Sequence, residues 1–534
     1  MQKTQHPLLM TLQSSFYDLN FSNLIGACNQ TESVYQVNHH LACMLTTEYS
    51  PAESLRFVKA NYHFPVINLF DYLQGFSYLQ TTDYRKHTPL RANQIGLSAE
   101  IVLQPSSIAQ DGGMSYDGVV DNDIRVKMIL DGEQVKQVNF YDVYHNVVET
   151  DIYDIRGFLS SSIYYADHNI PLHQVWFNKQ GAVVLTHRLL SNDQRYILHE
   201  QGKELYFDNL WLLQRHALTQ IIQHFLNQQD IVMNTTESPL IDLCADLTVA
   251  TTSHHYYCLA TLPNMRYGNG DDPMANLKAQ LSQWQNASQV AGLVVPTTAE
   301  KKDIQKMTKL NKPIFNWNIG VAFPQKTVPL QKRQNGSLIC LQNLSDDCTS
   351  SQRFRNHVLE LLEAVCQVHQ QYPKITLYLY GFRGSPETAN ITSYRKALAN
   401  FIEINQMSEY VLFDNYLDVQ YLDQKFNECQ AYINMSETDN QSLGGIYALA
   451  HGNVMIAHQG KYDFAQLVQT NRNGWLLSDF SHDLLKDTLI KLMNLSTQRW
   501  QRFSQASYRL AQNYSPAKNT KQFDKIYQSL KHKN

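Results

Sequence analysis

Charge is scarce in this sequence: Asp, Glu, Lys and Arg make up only 17% of it. Neither sign dominates, since 44 Lys plus Arg stand against 48 Asp plus Glu, a formal balance of −4. Neutralising a nucleic-acid backbone takes a cationic surplus, so no nucleic acid is expected as a partner. Cysteine is thin as well: eight in 534 residues, with no CxxC pair and no clustered Cys/His array. That speaks against zinc and against a disulfide framework, and it matches a reducing compartment. Cys244, Cys258, Cys340 and Cys366 sit in apolar runs and read as small buried hydrophobes. No run of about 18 apolar residues occurs, so no membrane span is expected. Residues 1–12 have no long apolar stretch, which excludes a signal peptide there. The expectation is a cytoplasmic protein with no metal and no cofactor. Also missing are GxxxxGK(S/T), GxSxG and HExxH, the signatures of a phosphate loop, a nucleophile elbow and a zinc-protease helix.

What the sequence does hold is apolar material, 43% of the chain, ample for several cores. Its length suggests about three to five domains or subdomains. Leu8–Leu12 reads as a short strand, and Ser14–Cys28 as a loop entering a helix. The run Phe64–Gln74 is mixed and has no clear period. From about Ile101 to His187 the period becomes two. Ile124–Asp142 alternates around Asp131–Gly132, a hairpin signal, because glycine accepts the positive φ of a tight turn. Val147–His187 repeats the pattern, with turns expected at Asp167–Asn169 and Lys179–Gly181. This is an antiparallel meander. Helical spacing returns in Phe207–Gln228, followed by short strands at "DIVMNTT" and "LTVATTSHH". Helices are expected from Ser238–Pro239 and over Asp272–Asn286, each opened by a cap residue and proline. A polar stretch, Pro324–Gly336, separates a second strand–helix series that ends in a long helical tail from about Leu484. Two such series imply two Rossmann-like α/β domains with parallel sheets facing a cleft. The division is 1–75 for the first part of the N-terminal domain, 76–203 for the inserted β domain, 204–325 for the N-terminal domain's second part, and 326–534 for the C-terminal domain with its helices.

Two small features carry little chemistry. Tyr267–Asp272 has two glycines without the full dinucleotide fingerprint, and His254–His255 has no third ligand within reach. The informative stretch is Ala431–His458: strand, polar loop, helix, glycine turn, strand. Ser436, Glu437, Asp439, Asn440, Gln441 and Ser442 could bond a sugar or a peptide in the cleft. Gly444 and Gly445 would leave helix amides open to a phosphate. An ordinary strand–helix connection is the competing reading.

The stretch Ser436–Ile456 resembles the C-terminal half of GT-B glycosyltransferases that retain the anomeric configuration. In that family two glutamates eight positions apart embrace the nucleotide-sugar. "ALAHGNVMI" aligns with the end of that helix and the next strand, which places the pair at Asp439 and Tyr447. The family also has an Arg and a Lys after the first strand of this half, to neutralise the leaving diphosphate. Those positions fall at Asn343 and Cys348, beside Asp346 and Asp347. The resemblance thus implies a GT-B-like fold with a degenerate donor site and no catalytic residue.

A further resemblance rests on "SSFYDLNFSNLIGA", on "NFYD", on "IYDIRGFLSSSIYYADHNIPLHQVWFNKQG" and on the degenerate second half. It is to the stabilising, non-catalytic co-chaperone subunit of the bacterial peptide O-GlcNAc transferase, which glycosylates serine-rich repeat adhesins for accessory secretion. It implies two partners, a catalytic transferase subunit and a Ser/Thr-rich adhesin, and peripheral attachment at the inner face of the membrane through the complex. It also implies a C-terminal helix that braces the first domain. An active retaining UDP-sugar transferase and an adhesin-binding accessory secretion protein of the same fold remain as alternatives. Acceptor binding would fall to Ser436, Asp439, Asn440, Gln441 and Ser442. The partner would meet an aromatic face of the meander carrying Tyr144, Tyr153, Phe158, Tyr164 and Trp176.

Overall fold

In a computed structural model of the chain, the described residues are 8–13, 21–37, 42–51, 57, 62–76, 90–106, 114–190, 193–226, 230–234, 257–261, 290–307, 311–318, 320–321, 328–329, 332–343, 352–382, 389–414, 419–435, 443–459 and 467–532. The N-terminal half opens with β1 (Leu9–Gln13), α1 (Phe21–Val37), β2 (Ala42–Thr46), β3 (Val66–Asn68) and α2 (Leu69–Leu73). The run Phe64–Gln74 that showed no period is thus a strand that turns directly into a helix. Asn68 makes the switch: its side chain accepts from the Phe70 and Asp71 amides, as an N-cap does.

A ten-stranded antiparallel meander follows, each strand paired with the next: β4 (Val102–Pro105), β5 (Ser115–Val120), β6 (Asp123–Asp131), β7 (Gln134–Tyr141), β8 (Val147–Tyr153), β9 (Leu159–Ala166), β10 (Ile170–Phe177), β11 (Val183–Arg188), β12 (Tyr196–Glu200) and β13 (Lys203–Phe207). The three turns expected from sequence are present. Gly132 and Gly181 take positive φ of 63° and 80°, and His168 and Asn169 take 62° and 60°. The period-two signal was read only as far as His187. The structure adds one more hairpin, with Gln201 and Gly202 at its turn, so the meander ends at Phe207.

The first sheet then resumes through α3 (Leu210–Phe225), β14 (Ile231–Asn234), β15 (Tyr257–Thr261), β16 (Val290–Val295), α4 (Thr298–Met307) and β17 (Ile314–Asn316). Its seven strands are parallel, in the order β17-β16-β15-β14-β1-β2-β3. Helix α3 buries Leu213, Ala217, Leu218, Ile221 and Ile222, the helical stripe seen in the sequence. The strand expected in "LTVATTSHH", the helices expected from Ser238–Pro239 and over Asp272–Asn286, the pair His254–His255 and the Tyr267–Asp272 loop lie outside the described residues.

The C-terminal half contains β18 (Ser337–Asn343), α5 (Gln352–Gln371), β19 (Thr376–Phe382), α6 (Ala389–Ile404), β20 (Val411–Asp414), α7 (Val419–Glu428), β21 (Ala431–Asn434), α8 (Leu443–Ala450), β22 (Val454–His458) and β23 (Gly474–Leu477). Its six parallel strands run β20-β19-β18-β21-β22-β23. The long helical tail is three helices: α9 (His482–Met493), α10 (Thr497–Ala511) and α11 (Pro516–Lys531). Ser496 caps α10 by accepting from the Arg499 amide, and Ser515–Pro516 starts α11. Helix α11 returns to the N-terminal half. Phe523, Ile526, Tyr527 and Leu530 enter a core with Leu9, Val34, Ile231 and Trp317. The architecture is GT-B-like: two Rossmann-type parallel sheets plus an added antiparallel sheet.

Candidate functional site

In an open parallel sheet, ligands bind at the carboxyl ends of the strands where the strand order reverses. In the C-terminal half that point lies between β18 and β21, which are paired neighbours. Asn343 ends β18, opposite Phe382 of β19, and brings no positive charge there. The loops after both strands lie outside the described residues. With them lie Cys348, Ser436, Asp439, Asn440, Gln441 and Ser442, as well as Glu437, Asp346 and Asp347. Of the degenerate donor-site positions, the structure describes Asn343 and Tyr447.

Helix α8, LGGIYALA, is apolar on nearly every side, the mark of a helix buried all round. The Cβ side of Gly444 faces the sheet. A Cβ there would lie 2.5 Å from the Tyr432 hydroxyl, so glycine at this position lets α8 approach β21 closely. At the other end of α8, Gly452 takes φ +70°. The buried Arg333 guanidinium caps the helix there by donating to the His451 carbonyl, and it also donates to the Cys429 and Val328 carbonyls at 3.0 Å each. A cation suits the negative end of a helix dipole. Burial nonetheless pulls the Arg333 pKa below its ordinary value. This buried arginine, set in the linker, carried no sequence signal.

Tyr447, which the resemblance to GT-B transferases sets at the position of a second glutamate, is only 9% exposed. Burial pushes its hydroxyl far above the ordinary phenol value, and Asp423 adds to the shift. Asn29 of α1 and Tyr62, both from the N-terminal half, lie near enough to the hydroxyl to pull its pKa slightly back. Tyr62 in turn donates to Asn29 Oδ1 at 3.1 Å. The contact with Asn29 is loose, since Asn29 Nδ2 has no acceptor in good alignment. The Tyr447 ring stacks with Phe426 at 6.0 Å and with His451 at 6.3 Å. His451 is fully buried. Its Nδ1 lies 2.8 Å from the Tyr447 carbonyl, and its Nε2 lies 3.2 Å from Asp423 Oδ1 without hydrogen-bond alignment. A phenol shifted upward is no base near neutral pH, and it offers no carboxylate to accept ribose hydroxyls. Among the described residues no cluster of three or more His, Cys, Asp or Glu could hold a metal ion, and no helix is long and apolar enough to cross a membrane.

The aromatic residues assigned to a partner face separate into classes. Trp176 is a correction: at 3% exposure it lies in the core shared by the meander and the N-terminal sheet. It meets Tyr49 edge-on at 5.6 Å and lies 5.5 Å from Phe70. Alternation places it on the face that the first domain covers. Phe158 is half-buried against Phe76 at 5.4 Å. Tyr153 is half-buried beside the meander's own core, which is built on Val126, Met128, Val135 and Val138. Tyr164 stacks on His173 at 4.9 Å. Tyr144, at 80% exposure, stands free at the β7–β8 turn.

The chain was compared with known proteins. The family model for the GtfB middle domain matches residues 110–208, a span that takes in strands β5 to β13. The GtfA subunit of UDP-N-acetylglucosamine–peptide N-acetylglucosaminyltransferase from Streptococcus gordonii is 27% identical over 242 residues, 43% of this chain and 44% of that protein. The matched stretch is thus under half the length of that relative. The corresponding GtfA subunit from Streptococcus pneumoniae serotype 4 is 22% identical over 402 residues, 72% of this chain and 73% of that protein. The crystal structure of the pneumococcal O-GlcNAc transferase GtfA with UDP and GlcNAc superposes with a TM-score of 0.74 at 17% identity, covering 99% of this chain and 100% of that one. The chain is therefore homologous to proteins of the GtfA/GtfB type.

Proposed function

We propose that this chain is a non-catalytic subunit of a GtfA/GtfB-type glycosylation assembly. It stabilises a partner peptide O-GlcNAc transferase and takes part in presenting a Ser/Thr-rich adhesin. One observation carries the reading. The position that should bear a ribose-binding carboxylate holds Tyr447, whose side chain is buried and whose hydroxyl burial pushes far above the ordinary phenol value. Asn343, at the end of β18, supplies no cation for a leaving diphosphate. The match to the GtfB middle domain supports a place in such an assembly, without bearing on catalysis, since the meander is the part of the chain that carries it. The complex would work in the cytoplasm, at the inner face of the membrane.

A second reading has its own support, because both curated relatives are named as transferase subunits. On that reading the chain is an active retaining transferase using a UDP-sugar. Fold alone cannot choose, since one fold hosts active and inert members. Purified chain incubated with UDP-N-acetylglucosamine and a Ser-rich acceptor peptide should give neither hydrolysis nor transfer above background. Co-expression with a GtfA-type transferase should give a stable complex of raised transfer activity. Turnover by the chain alone establishes the second reading and removes the first.

A further inference from the structure

Charge is unevenly placed along this chain. Residues 497–532, which form α10, α11 and the turn between them, hold seven Lys plus Arg against one acid, Asp524, a net +6 in a chain whose total is −4. The meander, residues 102–207, holds eight Lys plus Arg against 14 Asp plus Glu, a net −6. Helix α11 and the meander lie on opposite faces of the N-terminal sheet. Successive residues of a strand point to opposite faces. In β1, Leu9 joins the core that α11 enters, while Met10 joins the core shared with the meander; Ile231 and Val232 of β14 divide in the same way. Within the tail the cations form stripes. Helix α10 buries Trp500 and Phe503 and exposes Arg499, Arg502 and Arg509, which fall within about 80° of one another around the helix. Helix α11 buries Phe523 and Ile526 and exposes Lys518, Lys521 and Lys525 within about 60°. Among the described residues none of these six cations pairs with a carboxylate, and Lys518 reaches only the Asn513 amide oxygen, at 3.4 Å. No large apolar side chain of either helix is exposed.

We propose that the outer face of α10 and α11 is a docking surface for an anionic lipid membrane, held there by charge alone. Acidic headgroups spread negative charge over a plane, and two helices, each roughly 22–24 Å long, lay a line of cations along it. Each exposed Lys or Arg near such a surface tightens association about fivefold. With no exposed apolar side chain to insert, the helices rest on the headgroups and stay out of the acyl region. The acidic meander completes the argument for a plane. The field that attracts the tail repels the meander, so the molecule settles with α11 down and the meander turned away, free to meet a protein. Helix α10 packs on the C-terminal half and α11 on the N-terminal half, so both halves are held at the surface. A nucleic acid answers to the same charge, but neither helix exposes an aromatic ring on which a base could stack. The inference rests on the placement of the complex at the inner face of the membrane and names the surface that does it.

The test is co-sedimentation of the full chain with vesicles of phosphatidylcholine alone or with about a third phosphatidylglycerol, in ~0.1 M salt. The chain should partition at least about a hundredfold better onto the anionic vesicles, and leave them at ~1 M salt, where charges are screened beyond about 3 Å. Lys518→Gln plus Lys521→Gln plus Lys525→Gln should weaken that partition about a hundredfold. Lys179→Gln plus Lys203→Gln plus Lys302→Gln removes as much charge from exposed sites elsewhere and should leave it unchanged. All six lysines are exposed, so both variants should unfold with the wild type. Equal binding to the two kinds of vesicle overturns the proposal, and so does an equal loss in the two triple variants. Release by inorganic phosphate at matched ionic strength would assign the stripes to a free anion, and duplex DNA bound as tightly as the anionic vesicles would assign them to nucleic acid; either result removes the membrane. No partner subunit and no sugar enters the assay, so its failure and that of the subunit role are read separately.

Discussion

Two seams join the parts of this molecule, and they are built from different materials. The seam between the meander and the N-terminal sheet is a true core. Met10, Leu45, Phe70, Leu213 and Ile222 interdigitate with Trp176, Leu185, Tyr196 and Leu198. Beside it, Arg156 is inserted between two carboxylates, with Nη2 2.5 Å from Asp71 Oδ1 and Nε 2.5 Å from Asp154 Oδ1, and its guanidinium lies 3.7 Å over the Phe76 ring. The seam between the two Rossmann-type halves lies instead where α1 meets α8 beside Tyr447, and one backbone bond, Val321 N to Tyr514 O at 3.0 Å, ties the two stretches of chain that cross between them. Apolar burial scales with area and has no preferred direction, whereas single hydrogen bonds contribute about 1 kcal/mol and depend on alignment. The first seam therefore makes one body of two domains.

The largest effect should come from the apolar seam. Trp176→Ala should lower unfolding free energy by about 3–5 kcal/mol in denaturant titration. The meander and the N-terminal sheet should lose stability together, because the ring touches both. A variant that keeps wild-type stability and loses only partner binding would return Trp176 to the interface.

Arg156→Met tests the ionic part of the same seam. It leaves Asp71 and Asp154 buried without their cation, at a cost of about 3–5 kcal/mol. Burial already raises the Asp71 pKa against the pull of Arg156. Adding Asp71→Asn and Asp154→Asn should recover most of the loss. No recovery would mean that the guanidinium acts mainly through its packing on Phe76 and Phe158.

That seam also shows what the sequence could and could not say. Periodicity alone located the meander, its three turns and the two α/β series, because alternation and short apolar strands are local signals. It missed the β12–β13 hairpin, although Leu205 and Phe207 alternate and pack on the same core, because the run Lys203–Phe207 is only five residues long. It misassigned Trp176 because alternation gives two faces and does not say which one a neighbouring domain covers. Tyr447 was legible as a lost carboxylate through alignment to a family pattern. Its neighbours Asn29 and Tyr62 were not, since they come from residues about 400 positions away and only the fold brings them together. Arg333 was hidden for the same reason.

At the second seam, Tyr447→Phe should cost less than about 1 kcal/mol, because no aligned hydrogen bond of its hydroxyl is lost, and so only a fraction of the Trp176→Ala loss. Calorimetry can separate the two cases. The Tyr447 variant should uncouple the C-terminal half from the rest before it lowers the stability of either part. A loss matching that of Trp176→Ala would show that this seam too is a core.

Acid titration probes the meander away from both seams. Burial raises the pKa of Glu149 and of Asp151, and each carboxyl interacts with the other. A carboxyl whose folded value is raised binds more protons folded than unfolded. Its contribution to stability is therefore greatest in acid and is lost as pH rises from about 4 through the raised values. Asp193, held low by Arg195 and Arg188, works in the opposite sense and loses its contribution as pH falls. Stability of Glu149→Gln plus Asp151→Asn, followed between pH 4 and pH 7 in ~0.1 M salt, should lack the falling component. An unchanged slope would show that the pair is not the source.

The smallest effect on stability belongs to the tip of the β7–β8 turn, and it bears on the partner. Asp142 Oδ1 accepts from the Tyr144 and Asn146 amides at 2.8 Å each, and His145 takes φ +64°, so the turn is rigid. The Val147 amide donates to Asn169 Oδ1 at 2.6 Å, which ties this turn to the β9–β10 turn. Held in that frame, Val143, Tyr144 and Ile170 are 62%, 80% and 57% exposed. No fold requirement explains three apolar side chains kept in water on a fixed tip, and rigid aromatic anchors are what interfaces use. Val143→Ser plus Tyr144→Ala should change unfolding free energy by about 0.5 kcal/mol or less. In the complex with a GtfA-type transferase the same change should weaken association at least about tenfold, the equivalent of 1.4 kcal/mol. Light scattering and calorimetry on that complex read both numbers. Wild-type affinity in the double variant would take the tip out of the interface and leave the half-buried Tyr153, Phe158 and Tyr164 as the aromatic residues still to be tried.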